Sequence, residues 1–271
     1  LPQPSRGLRR ILICPQEFKG SLTAIEAAHA IAVGVRRVFP DADLIISPMA
    51  DGGPGSVSII AATRASTLVE VKVVDAYGHP VTSTYVLLED PDGGPIAVIE
   101  SASAVALART TPNDRAPLRS TSRGVGELIR HAAMNGAQSI ILGVGGTASS
   151  DGGAGVARAL GLRLLDTSGR ELPDEAMQLV RLASIEDDVP DLVRQVHVRV
   201  AVDVRNQLTG EAGAAAVFGA QKGLVAWQAP ALDTAIRHWA AIVRHQLHRE
   251  IEEIEGSGAG GGIPAGIVAA L

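Results

Sequence analysis

A single cysteine, Cys14, stands among 271 residues. The fold must therefore hold without an internal disulfide, which fits a reducing compartment. Cys14 lies inside the apolar run 11–15 and is expected to be a buried structural thiol. Aromatic residues make up only 3 % of a chain that is 46 % hydrophobic, so Ala, Val, Ile and Leu must build the core, as in a sheet covered by helices. No apolar run is long enough to span a bilayer and no signal peptide is visible, so a soluble, cytoplasmic protein with no membrane partner is expected. Lys/Arg-rich blocks are absent and the net charge is −5, which argues against a nucleic-acid partner. The seven histidines lack metal-ligand spacing, and His245 and His248, three apart on a polar helix face, read as solvated. A zinc site is not expected. There is also no Gly-x-x-x-x-Gly-Lys-Ser/Thr, so this is not a P-loop enzyme.

What is present has globular proportions, with 20 % charged residues and length for one or two domains. A strand at 11–14 precedes a helix opened by the capping box Thr23-Ala-Ile-Glu26, with apolar positions 25, 28, 31, 35 and 38 at helical spacing. A strand at 44–47, the loop 49–55 and a helix at 56–62 complete a βαβα opening, for which a parallel sheet is the default. At about residue 66 the character changes to a meander of β-rich runs, 68–74, 81–88 and 96–99. Beyond it come a helix at 124–135, a strand at 139–142, a short helix at 154–161 and a strand at 162–165. A helix near 174–183, a strand at 196–202 and a long helix at 229–251 follow. The chain begins without Met and stops at Leu271 inside the apolar stretch 263–271, which reads as the opening of a helix. A longer polypeptide is expected.

Residues 143–153, Gly-Val-Gly-Gly-Thr-Ala-Ser-Ser-Asp-Gly-Gly, carry the chemistry most openly. A strand feeding a glycine-rich loop and then a helix can cradle a phosphate on free backbone N–H groups. Asp151 within it calls for a cation or a transferable proton, hence phosphoryl chemistry with a metal. Asp51, Asp151 and Asp203 each follow a strand, and ligands of open α/β sheets bind beyond strand carboxyl ends. The three could meet in one cleft, hold Mg²⁺ and accept a proton from a substrate hydroxyl; each could instead cap a helix or an Asx-turn. Lys19, between the first strand and the capped helix, and Lys222, bracketed by glycines, can each reach an anion. Ser122 reads as a cap, and Arg123 beside it could clamp a carboxylate. Gly143-x-Gly145-x-x-Ala148 also matches the loose dinucleotide fingerprint, with Asp166 as the candidate ribose acid. A dinucleotide-dependent oxidoreductase is therefore an alternative.

The stretches Phe18-Lys-Gly-Ser21, Met49-Ala-Asp-Gly-Gly53, Gly145–Gly153, Asp203-Val-Arg-Asn206, Val217–Gly223 and Gly256–Gly262 occur in an order that resembles the bacterial-type, non-P-loop glycerate kinase family, from about Arg10 to Leu271. The resemblance implies ATP- and Mg²⁺-dependent transfer of the γ-phosphoryl group to a hydroxyl of D-glycerate. It also implies two α/β domains, one flavodoxin-like (Rossmann-like parallel sheet) and one restriction-endonuclease-like mixed sheet. The corresponding division is 8–65, an inserted unit at 66–255 carrying the glycine-rich loop, and a return to the first unit at 256–271. Under this reading Asp151, Asp203 and Lys19 are catalytic. Gly145, Gly146, Thr147, Ser149, Ser150 and Lys222 bind the nucleotide, and Asp51, Ser101, Arg123 and Asn206 meet the substrate. Asp51 and Asp151 hold the metal, and a homodimer is compatible. Two local departures stand out. Gln16-Glu17 replaces the usual Asp-Ser ahead of Phe-Lys-Gly-Ser, and Pro54 replaces the usual Glu after Ala-Asp-Gly-Gly. They leave room for altered substrate choice or for a catalytically degenerate binding module.

Overall fold

The computed structural model describes residues 10–18, 21–50, 52–90 and 93–271. The opening strand β1 (Arg10–Ile13) leads to helix α1 (Ala24–Val38), which starts where the capping box places it. Glu26 N–H donates to Thr23 Oγ1 at 3.2 Å, and Thr23 N–H donates to Glu26 Oε2 at 2.9 Å. These reciprocal bonds satisfy donors that have no partner inside the helix. Strand β2 (Asp43–Ile46) pairs parallel with β1, and helix α2 (Ser56–Thr63) follows. Helix α1 packs Ala28 and Ala32 against Ile13.

The larger sheet begins with β3 (Ser66–Val74) and β4 (Pro80–Leu88), an antiparallel pair turned at Gly78. Strand β5 (Ile96–Glu100) pairs antiparallel with β4 and runs directly into the short helix α3 (Ser101–Val105). Helix α4 (Arg123–Met134) carries the chain to β6 (Ser139–Gly143), parallel to β5. Helix α5 (Ala154–Leu160), the antiparallel pair β7 (Leu162–Leu165) and β8 (Ser184–Asp187), and α6 (Asp191–Arg194) come next. Strand β9 (His197–Ala201) then joins β6 in parallel. The five-stranded order among the described residues is β3-β4-β5-β6-β9. Helices α7 (Ala214–Phe218), α8 (Ala229–Leu247) and α9 (Ile263–Ala270) complete the chain. The architecture is mixed α/β, as expected. Strands and helices read from periodicity fall within two residues of those observed, except as follows.

Three expectations are corrected. Cys14 is exposed, because α1 covers one side of β1 only; Ile13 is buried while Leu12 stays 62 % exposed. The helix expected near 174–183 is a 3₁₀ segment, Ala176–Arg181, that follows Pro173. The long helix stops at Leu247 because His248 adopts a left-handed conformation, φ 56°. That reversal returns Ile251 to full burial. The main core gathers β4–β6 with α4, α5, α8 and α9. Its largest fully buried side chain is Trp239, whose indole N–H donates to Gly152 O at 3.1 Å. No helix among the described residues is long and apolar enough to cross a membrane.

Candidate active site

The carboxyl ends of β5, β6 and β9 lie side by side, with Glu100 opposite Gly143 and Gly143 opposite Ala201. The loop between β2 and α2 lies directly on this edge. A Cβ at Gly143 would sit 2.1 Å from Gly52 O, and one at Gly145 would sit 3.4 Å from Gly53 Cα. Only a residue without a side chain at 143 permits that approach. Glu100 secures the loop from the strand side, accepting Gly55 N–H at 3.2 Å and Val57 N–H at the start of α2. Burial pushes its carboxyl above the usual range, the hydrogen bonds from Val57 and Gly55 oppose that, and the charge of Glu17 adds to it. Beside the loop opens a cleft of about 270 Å³, lined by Gln16, Glu17, Thr23, Met49, Pro54 and Ser58. The two departures from the family pattern thus share one cleft wall.

At the same edge Gly146 is exposed and Gly145 half-buried. The N–H groups of Gly146 and Thr147 have no acceptor among the described residues. Asp203, two residues past the end of β9, is exposed and has no hydrogen-bond or ion-pair partner among the described residues. Ser101 is fully buried at the end of β5, with its Oγ 3.4 Å from Gly145 N and 3.5 Å from Gly145 O.

Asp151 does not reach this edge as a free carboxylate. It is 3 % exposed. Its Oδ2 accepts Ser122 N–H at 2.8 Å, Ser122 Oγ–H at 2.9 Å and Gly155 N–H at 2.9 Å; its Oδ1 accepts Gly153 N–H at 3.2 Å. Ser122 Oγ in turn accepts Val156 N–H at 3.1 Å. The expectation of free N–H groups at the start of α5 is therefore corrected, because the protein's own carboxylate and hydroxyl already fill them. Burial raises the Asp151 pKa, and the hydrogen bonds from Ser122 and Gly155 work against that rise.

The rest of the loop is joined to the second glycine-rich stretch. Thr147 and Ser149 both donate their hydroxyls to Gly260 O at 3.1 Å, and Gly152 N–H donates to Gly261 O at 2.9 Å. Ser150 N–H donates to Ser120 Oγ at 2.8 Å. Thr147, Ser149 and Ser150 are accordingly buried. Lys222 is buried with them and donates to Ser149 O at 2.6 Å, with Thr147 Oγ1 at 3.5 Å. Burial pushes its amine down to about 8, while the charge of Asp151 works in the opposite direction. Lys222 and Asp151 are thus two buried ionisable groups on opposite sides of the same loop, each held by its own hydrogen bonds.

Arg123 and Asn206 are also engaged internally. Arg123 pairs with Glu127 and Asp174, each at 3.0 Å, and Asn206 Nδ2 donates to Ala212 O at 2.7 Å. Lys19 and Asp51 lie outside the described residues. No group of three or more His, Cys, Asp or Glu that could hold a metal is found among the described residues. The dinucleotide alternative is not favoured. Asp166 accepts from Ser168 Oγ and from Arg170 N–H, which hold its carboxyl well below the usual range, and so it closes a turn. Sequence reasoning missed Glu100, and although it singled out the stretch 256–262 it did not foresee Gly260 as the acceptor for Thr147 and Ser149. Glu100 ends an apolar strand just as Asp203 follows one, so the strand-end criterion could have found it. No local signal shows that Ser120 and Gly260 meet the loop's own Ser150, Thr147 and Ser149.

A model of the glycerate kinase family matches residues 11–271. A glycerate kinase from Haemophilus influenzae is 41 % identical over 260 residues, covering 96 % of this chain and 68 % of the relative. A glycerate 2-kinase from Escherichia coli is 39 % identical over 264 residues, with 97 % and 68 % covered. The crystal structure of a chain assigned as glycerate kinase 2 in Salmonella typhimurium LT2 superposes with a TM-score of 0.85 at 42 % identity, covering 96 % of this chain and 70 % of that one.

Proposed function

Because the chain belongs to the glycerate kinase family, we propose that it is a phosphotransferase moving the γ-phosphoryl group of ATP to a hydroxyl of D-glycerate. The observation that carries this reading is the edge formed by β5, β6 and β9, where the Gly52–Gly55 loop, the N–H groups of Gly146 and Thr147 that find no acceptor among the described residues, and the exposed Asp203 gather. Such an edge suits positioning and charge stabilisation, which is most of what phosphoryl transfer asks of a protein. Asp203 accepts the proton of the attacking hydroxyl. Gly146 and Thr147 donate backbone N–H groups to phosphate oxygens. Lys19 offsets developing charge, and Asp51 orients glycerate or shares the metal.

Magnesium in such reactions is usually held through one or two carboxylates, with the remaining positions left to phosphate and water. Asp51 would hold it, directly or through water, leaving Asp203 to take the proton. Bound Mg·ATP supplies the transferable group and neutralises its charge. Asp151 and Lys222 serve as the interior framework that fixes the two glycine-rich stretches, and Ser101 braces Gly145 beside them. The E. coli relative, a glycerate 2-kinase, favours the 2-hydroxyl as acceptor.

The test is ADP release that depends on D-glycerate, compared with Asp203→Asn. The expected loss in kcat is about two to three powers of ten. Because Asp203 is exposed, the melting temperature should move by no more than about 2 °C. Nucleotide or glycerate binding without turnover in the unmodified protein would make it a binding module instead. Near-normal turnover of the variant would remove Asp203 from the proton-transfer role.

A further inference from the structure

Strand β3 is an edge of the five-stranded sheet among the described residues. The phase of its hydrogen bonds is fixed by its two last donors. Asp75 N–H points toward β4 and donates to His79 O at 2.8 Å, whereas Val74 N–H points away and donates to Glu127 Oε2 at 3.0 Å. Alternation along the strand then puts the N–H and C=O of Leu68, Glu70 and Lys72 on the open edge. Glu70 and Lys72 are exposed on one face, across from Thr84 and Thr82 of β4. Neither has a hydrogen bond or ion pair among the described residues. A groove of about 500 Å³ runs between this edge and α4, where Arg130 and the 51 % exposed Met134 line it.

We propose that the open edge of β3 pairs antiparallel with the same edge of a second copy of this chain, about a two-fold axis at Val71. The phase and the charges select this register. Opposed residues must share a sheet face, so the two numbers in every facing pair add to an even sum. An axis at residue 70 would oppose two glutamates, and one at 72 would oppose two lysines. An axis at 71 opposes Glu70 to Lys72 twice, and it makes those residues, whose backbone groups already face outward, the hydrogen-bonded pairs. Leu68 then lies opposite Val74, whose N–H is already taken by Glu127 and whose carbonyl packs on Gly124. The new hydrogen bonds are therefore confined to the two Glu70–Lys72 pairs, while the apolar Val69 and Val73 face each other on the side of α4. Charges on an edge strand commonly discourage pairing. Here they exclude the neighbouring registers and favour one closed, isologous contact.

Sedimentation velocity on the full chain at roughly 10–100 μM, a range suited to a micromolar dimer, tests the inference without reference to catalysis. The unmodified protein is expected at twice its 27.9 kDa mass. Glu70→Lys alone and Lys72→Glu alone each put like charges at both sites and should weaken association on the order of tenfold or more. An equimolar mixture of the two variants restores both attractive pairs and should recover the dimer, as should the Glu70→Lys/Lys72→Glu double variant. Circular dichroism confirms that each variant is folded, as exposed positions allow. A monomeric unmodified protein, single variants that dimerise as before, or a mixture that stays monomeric would each overturn the proposal.

Discussion

Replacing Asp151 by Asn separates an interior framework from a direct catalytic role. The carboxylate takes four hydrogen bonds, three on Oδ2 and one on Oδ1. With the amide oxygen at the Oδ2 position, the contacts from Ser122 and Gly155 persist but lose the strength a charged acceptor gives. The amide nitrogen then faces Gly153 N–H, donor against donor, leaving that buried N–H unsatisfied. An unsatisfied buried donor costs about 1–3 kcal/mol. Weakening the other three bonds adds to this, while relief of the buried charge offsets part of it. The net expectation is a loss of about 2–3 kcal/mol, or roughly 5–10 °C in melting temperature for a chain of this size. Lys222 loses the opposing charge of Asp151, so its amine falls further below about 8. Calorimetry and the ADP-release assay are run on the same preparation. Because Asp151 is 3 % exposed, kcat per folded molecule should stay within about tenfold, below the range for losing a catalytic acid or base. A melting temperature within about 2 °C of the unmodified protein, together with a kcat loss of a hundredfold or more, would refute the framework role and return Asp151 to the reacting centre.

Two further outcomes follow from the same geometry. Lys222 has a folded-state pKa of about 8 against 10.5 unfolded, so the unfolded chain binds more protons between those values and stability rises with pH across that window. Relative to Lys222→Met, which removes the titration, the unfolding free energy should rise by up to about 3 kcal/mol from pH 8 to 10.5. Urea titrations that show a flat or falling difference would contradict the lowering of the Lys222 pKa by burial. Gly143→Ala places a Cβ 2.1 Å from Gly52 O and forces the loop off the strand edge. Activity should fall at least about tenfold while stability drops by about 1–3 kcal/mol. Unchanged turnover would show that the loop does not need that contact.

The elements were legible wherever local chemistry decides them. The Thr23–Glu26 box fixes the start of α1, and the β-branched run at 196–202 yields β9, because caps and side-chain period act over a few residues. Cys14 misled, since its apolar neighbours say nothing about which face of a strand a helix will cover. The long helix was read too far because an apolar residue at 251 continues the period, although a left-handed His248 interrupts the chain. The strand-end rule found Asp203 and should have found Glu100. It also found Asp151, but a rule that locates a carboxylate says nothing about how many donors surround it.

The sequence by itself determined the family, through ordered glycine-rich stretches, and the mixed α/β class, through hydrophobic period and a core with few aromatics. Tertiary structure alone decided what the loop at 143–153 faces. Its hydroxyls meet Gly260 across more than a hundred residues, Lys222 closes over Ser149, and Asp151 turns inward to fill two helix starts. Only Gly145 and Gly146 remain at the surface, beside Gly53 and Pro54 of another loop. The physical reason is that glycine motifs specify where backbone can approach closely. Which partner occupies that space, a ligand or another part of the chain, depends on long-range packing that local pattern does not encode.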